Sequence, residues 1–209
     1  VHLFTDSDAS FTVGKGTVTL TQETGYPWKE TVSIKVNPDA PRRLRLAIRI
    51  PGWCRKPALK VNGKRMALDG LVRKGYALID RSWAPGDQVE LALPMPVERV
   101  YMPTAVRADV GRVALQRGPI VYCLEEADNG KQIDAVELPR DAALKVKMGR
   151  IGDVSVPMIH AQAVRLSTPT PVGISTQPPQ AKKTRLVAVP YHLWANRGEG
   201  EMQVWMRER

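Results

Sequence analysis

Few side chains in this sequence could carry chemistry, and their spacing is unlike that of a catalytic or metal site. The two cysteines, Cys54 and Cys123, lie far apart, and neither has a partner at the spacing of a zinc motif. We expect them to be buried thiols, with a disulfide between them as the alternative. No Gly-rich phosphate loop and no nucleophile motif is present. We therefore assign no catalytic and no metal-binding residue to this chain.

Histidine and carboxylate side chains lead to the same conclusion. Of the three histidines, His192 has the most site-like surroundings, because it lies in an aromatic segment. A hydrogen-bonded structural histidine is nevertheless favoured there over a catalytic base or a ligand. Two carboxylate pairs have the chemistry of an acid and a base, Glu125 with Glu126 and Glu199 with Glu201. We interpret them as solvated loop charges, since neighbouring strand residues point to opposite faces.

Aromatic rings form the remaining group of candidates, because sugar-binding modules stack exposed rings on the faces of sugars. The candidate carbohydrate-binding residues are Trp28, Trp53 and Trp194, together with His192. Packing in a core or at a domain interface is the favoured alternative for the tryptophans, since a large ring buries much apolar area.

The elements that would position these side chains are predicted to be short strands. In the first half, alternating segments occur at residues 17–22, 31–36, 44–50, 59–66, 75–80 and 88–93. Within them Asn62-Gly63 predicts a hairpin turn. In the second half, two apolar runs at 113–115 and 120–124 flank the breaker pair Gly118-Pro119. This pattern predicts two strands joined by a sharp corner, the second almost wholly buried.

The strand pattern predicts an all-β chain of two consecutive antiparallel β-sandwich domains, jelly-roll-like in type. Pro94-Met95-Pro96 interrupts the pattern, and proline cannot donate to a central ladder. The boundary is therefore placed near residue 98, giving domains 1–98 and 99–209. Residues 167–183 contain four prolines and few large apolar side chains, which predicts a long Pro-rich loop.

Charge and hydropathy argue against two classes of partner. The formal net charge of +10 over 209 residues suggests a polyanion, but the excess is shared evenly by the two halves and no basic run exceeds two residues. We therefore predict no nucleic-acid partner. No apolar run approaches the roughly 20 residues of a membrane helix, so no membrane partner is expected.

The first residues bear on localisation and on the length of the parent protein. They lack the basic start and apolar core of a secretion signal, which leaves localisation open and is compatible with a cytoplasmic parent. Because the chain starts at Val1 without an initiator Met, we expect it to begin inside a longer polypeptide, with processing as the alternative.

Four parts of the sequence together resemble the C-terminal region of glycoside hydrolase family 127, whose members include bacterial β-L-arabinofuranosidases. They are residues 46–53 with 61–63; Gly75-Tyr76 with 81–83 and Gly86-Asp87; residues 111–125; and Pro190-Tyr191 with 194–198 and Met202. The third part is the most specific of the four.

The resemblance implies a non-catalytic β-domain portion of a glycoside hydrolase. In the family, an N-terminal (α/α)6 barrel performs retaining hydrolysis of terminal β-L-arabinofuranosides, and a zinc-bound cysteine thiolate in that barrel is the nucleophile. Cys54 and Cys123 do not match the family's adjacent cysteines, so no cofactor is expected in this chain and zinc is expected in the barrel. The chain alone is thus expected to be inactive.

Three partners follow from the resemblance: the barrel of the same parent protein, a second copy in a homodimer, and arabinose-containing glycans. Supporting the barrel is the expected role, with dimerisation as an added one. The alternative role is that of a carbohydrate-binding module that uses exposed tryptophans.

Overall fold

The computed structural model describes residues 1–168 and 173–209. It divides into two compact units, Val1–Met95 and Pro96–Arg209. The all-β prediction is confirmed, because regular structure in the described residues is almost entirely strand. Helical structure there amounts to one short α-helix and single 3-10 turns.

The first unit contains two antiparallel sheets. Its strands are β1 (Ser7–Val13), β2 (Gly16–Thr24), β3 (Thr31–Pro38), β4 (Arg42–Arg49), β5 (Ala58–Val61), β6 (Lys64–Met66), β7 (Val72–Arg73), β8 (Tyr76–Trp83) and β9 (Asp87–Ala92). One sheet has the order β1-β2-β3-β9-β5-β6 and the other the order β4-β8-β7. Side chains from both sheets share one apolar core, so this unit is a sandwich.

Strict alternation explains how the first unit builds its core. In β3, Val32, Ile34 and Val36 are fully buried, whereas Lys35 faces outward. Trp83 is also fully buried, and its indole N–H donates to the carbonyl oxygen of Leu44 at 3.1 Å. The one polar atom of this large ring is therefore satisfied inside the core.

The predicted hairpin at Asn62-Gly63 is confirmed. β5 and β6 pair antiparallel around it, with Leu59 opposite Met66. Asn62 has a φ of 50° and Gly63 a φ of 75°. Positive φ at both central residues is the signature of a type I′ turn, whose twist matches that of the flanking strands.

The second unit contains one sheet. Its strands are β10 (Val97–Val100), β11 (Arg112–Arg117), β12 (Ile120–Glu125), β13 (Val136–Leu138), β14 (Lys145–Ile151), β15 (Val154–Ser167), β16 (Gln180–Pro190), β17 (Met202–Gln203) and β18 (Met206–Glu208). Helix α1 (Glu126–Asn129) follows β12, and 3-10 turns lie at Arg107–Asp109, Ile133–Ala135 and Tyr191–Leu193.

The strand order of the second unit closes on itself. The path β11-β18-β13-β15-β16-β12 returns to its start, because β12 also pairs with β11. Among the described strands of this unit, the pairs are antiparallel except β13 with β18, which run parallel. The ring encloses one core, to which Leu115, Tyr122, Leu124 and Leu186 contribute.

The predicted corner at Gly118-Pro119 is confirmed as the hairpin between β11 and β12. Leu115 lies opposite Tyr122, and only Gly118 and Pro119 separate the paired residues Arg117 and Ile120. Gly118 has a φ of 57°, which a hairpin turn with glycine in the first central position requires.

The Pro-rich segment falls only partly on described residues, since 169–172 lie outside them. β15 extends to Ser167, and β16 begins at Gln180, its pairing partner. Strand pairing thus reaches into both ends of the segment predicted as a loop. Within the part of the chain that the structure describes, no helix is long and apolar enough to cross a membrane.

Candidate functional site

Two exposed aromatic rings stack on each other just after β16, and we call them the aromatic platform. Tyr191 and Trp194 are 44% and 43% exposed. Their ring centroids are 6.4 Å apart and their planes differ by 6°. The 3-10 turn Tyr191–Leu193 sets this geometry, since the Trp194 N–H donates to the Tyr191 carbonyl oxygen at 3.0 Å. His192 lies between the rings in sequence and is exposed. The result is a pair of parallel rings, both of them partly exposed to solvent.

Arg197 anchors the loop that carries the aromatic platform. Its Nε donates to Glu125 Oε2 and its Nη1 donates to Asp128 Oδ1, each at 3.0 Å. The Asp128 and Glu125 carboxylates together hold the pKa of this guanidinium above its usual range. The backbone N–H of Ala195 donates to Glu125 Oε1 at 3.1 Å. A network of this kind fixes the loop to the end of β12 and to α1.

The interpretation of the carboxylates as solvated loop charges is wrong for Glu125. Glu125 is only 5% exposed, because Arg197 covers it. Glu201 accepts the backbone N–H groups of Ile133 at 2.8 Å and Gln132 at 3.0 Å.

These two backbone hydrogen bonds, that of Ile133 first, lower the pKa of Glu201. Glu126 accepts the Glu201 N–H at 3.1 Å. Glu126 is half-buried, whereas Glu199 and Glu201 are both exposed, in agreement with their interpretation as solvated loop charges.

The cysteines are buried thiols, as predicted. Burial raises the pKa of the Cys123 thiol to about 12, and the nearby Glu125 carboxylate adds to the effect. A thiol in this environment remains protonated at neutral pH and is a poor nucleophile and metal ligand. Among the described residues, no group of three or more His, Cys, Asp or Glu side chains could hold a metal ion.

The other two candidate tryptophans, Trp28 and Trp53, lie in the first unit. Trp53 is half-buried and stacks on Tyr26, with centroids 6.4 Å apart and planes 22° apart. Tyr26 in turn meets Phe4 edge-on, and the group packs against the core. Trp28 is half-buried and lies in a turn in which its backbone N–H donates to the Gly25 carbonyl oxygen. Only Trp194 and His192 share a loop, so the four candidates do not form one site within a unit.

Sequence reasoning missed the anchor of the platform. Arg197 is 72 residues from Glu125 and 69 from Asp128, so no local pattern links them. The only signal was the family-like segment 194–198, which contains Arg197 without revealing its partners.

Comparison with known protein families gives a match over nearly the whole chain. The model described as the glycoside hydrolase family 127 C-terminal domain matches residues 97–207. The model described as the β-L-arabinofuranosidase GH127 middle domain matches residues 1–95. The two matched ranges correspond closely to the two compact units.

Individual relatives agree with the family models. A non-reducing end β-L-arabinofuranosidase of Bifidobacterium longum subsp. longum is 32% identical over 218 residues, covering 99% of this chain and 32% of that protein. The crystal structure of a GH127 β-L-arabinofuranosidase from Geobacillus stearothermophilus T6 is similar with a TM-score of 0.94 and 43% identity. That match covers 99% of this chain and 33% of the other.

A second solved structure, of a GH127 β-arabinofuranosidase, has a TM-score of 0.88 and 32% identity. That match covers 99% of this chain and 34% of the other. The chain thus spans about a third of the length of the relatives that it matches.

Proposed function

The chain belongs to glycoside hydrolase family 127, and from that premise we propose that it is the non-catalytic β-domain portion of a β-L-arabinofuranosidase. The observation that carries this proposal is the match of its two units to the family's middle and C-terminal domains. Retaining hydrolysis of terminal β-L-arabinofuranosides is assigned to an N-terminal (α/α)6 barrel of the parent protein.

The chemistry of this chain's own residues agrees with that division of labour. A zinc-bound nucleophile requires a thiolate, whereas the Cys123 thiol has its pKa raised to about 12 by burial. The carboxylates nearest to it, Glu125 and Asp128, are already paired with Arg197. These residues do not fit a zinc site, so zinc and the nucleophile are assigned to the barrel.

The role of the chain in the parent protein is to support the barrel and to pair subunits in a homodimer. A packed apolar core in each unit, and buried ion pairs that hold loops of the second unit, suit the chain to bracing another domain. Stiff supports of this kind keep catalytic groups elsewhere in register.

A direct test compares the isolated chain with the full-length parent. We expect no hydrolysis of an aryl β-L-arabinofuranoside by the 209-residue chain, even with added zinc, and hydrolysis by the parent. Turnover by the isolated chain would overturn the proposal. Sedimentation of the parent, with and without these two units, tests the pairing of subunits: a dimer that persists without them removes that role.

Carbohydrate binding is a second candidate function, and the aromatic platform favours it. Two parallel, partly exposed rings present apolar surface of the kind on which sugar rings stack. Titration with arabino-oligosaccharides should change tryptophan fluorescence in the wild-type chain but not in Trp194→Ala. In Trp28→Phe the change should persist. If Trp28→Phe abolishes the response and Trp194→Ala does not, binding belongs to the first unit, and no response at all rejects the candidate.

A further inference from the structure

The outer face of β14, β15 and β16 carries a basic pocket that the functions above do not use. Strand register places Lys145 opposite His160 and Gln162 opposite Arg185. Cross-strand partners share a face of the sheet, as do residues two apart, so Lys147 lies on this face as well. Three neighbouring strands therefore place five polar side chains on one surface.

These five side chains surround a real concavity. Its volume is about 320 Å³, and Ala143, Ala161 and Leu186 complete the lining. That volume lies at the lower end of the range for small-ligand sites, about 300–1,000 Å³. Ala161 and Leu186 are buried in the core of the ring, so the groups that the pocket presents to a ligand are chiefly the five polar side chains.

The described residues that line the pocket include three cations, Lys145, Lys147 and Arg185, and no carboxylate. Among the described residues, the ion pairs do not include Lys145, Lys147 or Arg185. By contrast, Arg99 and Arg197 in the same unit are held by buried carboxylates. A cluster of like charges left without counter-charge favours an anion from solution.

His160 responds to this field. Its pKa is lowered by burial and then by the charges of Lys147 and Arg185, while Asp128 opposes the shift. Asp128, which is paired with Arg197, has the smallest of these effects. An anion in the pocket would offset the repulsion and favour the imidazolium. Binding should therefore strengthen as the pH falls.

We propose that this pocket binds the oxyanion of a small ligand, a carboxylate or a phosphate group. The guanidinium of Arg185 offers the paired donors that match two oxygens of such a group. Lys145 and Lys147 add point charges, and the Gln162 amide can bond a neighbouring hydroxyl. The volume suits a ligand of about monosaccharide size, so a uronic acid and a sugar phosphate are the two sources of this chemistry.

Isothermal titration of the full 209-residue chain tests the proposal with D-glucuronate, inorganic phosphate and neutral D-glucose as probes. Either anion should bind with a Kd of about 1 mM or tighter, whereas glucose should not bind. Glucuronate binding alone points to an acidic sugar, and phosphate binding alone to a sugar phosphate. Arg185→Gln should weaken the binding about tenfold or more. The affinity for glucuronate, whose carboxylate stays ionised in this range, should rise between pH 8 and pH 6.

Lys182→Gln is the matched control, because it removes the same charge from the same strand but lies on the opposite face, across from Arg165. The affinity of this variant should equal that of the wild type. Lys147→Glu provides a second variant of an exposed side chain and should abolish binding. Equal losses of affinity in Lys182→Gln and Arg185→Gln would show that binding depends on diffuse charge, and would overturn the proposal. Absence of binding by both anions at roughly 10 mM would also overturn it.

Discussion

Replacing Arg197 by methionine should destabilise the second unit more than any single surface substitution. The change leaves Glu125, with a side chain only 7% exposed, and Asp128, at 19%, without their cation. Breaking a buried ion pair by removing one partner costs about 3–5 kcal/mol. Because the Arg197 side chain is 22% exposed and water reaches it, we expect a loss near the lower limit, about 3 kcal/mol. Methionine keeps most of the apolar stem, so the loss reports the charge.

The assay is thermal and urea unfolding followed by circular dichroism, with hydrogen exchange of the Ala195 amide as a local probe. A loss of about 3 kcal/mol should lower the melting temperature of the unit by on the order of 10 °C. The Ala195 N–H, which donates to Glu125, should exchange faster than in the wild type. Arg150→Met is the control, since its pair with Asp153 is fully exposed and should leave stability unchanged.

A double-mutant cycle separates the ion pair from general disruption. Glu125→Gln removes the buried charge while Asp128 still holds Arg197. The double variant Glu125→Gln with Arg197→Met should lose less stability than the sum of the single variants, with a coupling of roughly 1–3 kcal/mol. A strictly additive cycle, or an Ala195 amide that stays protected in Arg197→Met, would refute the anchoring role of Arg197.

Three further predictions rest on single residues. Gly63→Ala should lower the free energy of unfolding by about 1–2 kcal/mol, because Gly63 has a φ of 75°. An added Cβ meets no atom at Gly63 or at Gly52, so Gly52→Ala, without the positive φ, is the control and should be neutral in urea unfolding. Leu124→Ala should lower the free energy of unfolding by about 2–5 kcal/mol, because it leaves a cavity in the core. Val121→Ala, at a 40% exposed residue of the same strand, should lower it much less. Cys123 should resist thiol reagents at pH 8 until the chain unfolds. Since its folded pKa is raised to about 12, its contribution to stability is present below the ordinary thiol pKa and is lost as the pH rises toward 12. A free energy of unfolding that does not fall over this alkaline range would contradict the prediction.

Local features of the fold could be predicted from the sequence, whereas long-range ones could not. Asn62-Gly63 and Gly118-Pro119 specify their turns through φ values that few other residue pairs adopt, so both hairpins were predictable. The parallel pairing of β13 with β18 has no local signal, because the two strands are joined only through the folded ring. The burial of Glu125 was missed for the same reason, since its partner Arg197 is 72 residues away.

The strand boundaries near the prolines show how tertiary pairing overrides composition. Residues 167–183 look like a loop because of four prolines, but Ser167 pairs with Gln180. The long register between β15 and β16 continues the ladder beyond the point where composition alone would end it.

The place of β18 in the ring has a consequence for synthesis on the ribosome. Met206 and Arg207 of this strand pair with β11, and Arg207 and Glu208 also pair with β13. The first unit holds all its sheet partners within residues 1–95 and is free to fold while translation continues. The edges of β11 and β13 that pair with β18 stay open until Met206–Glu208 leave the exit tunnel, so the ring of the second unit closes only after its last strand has been synthesised.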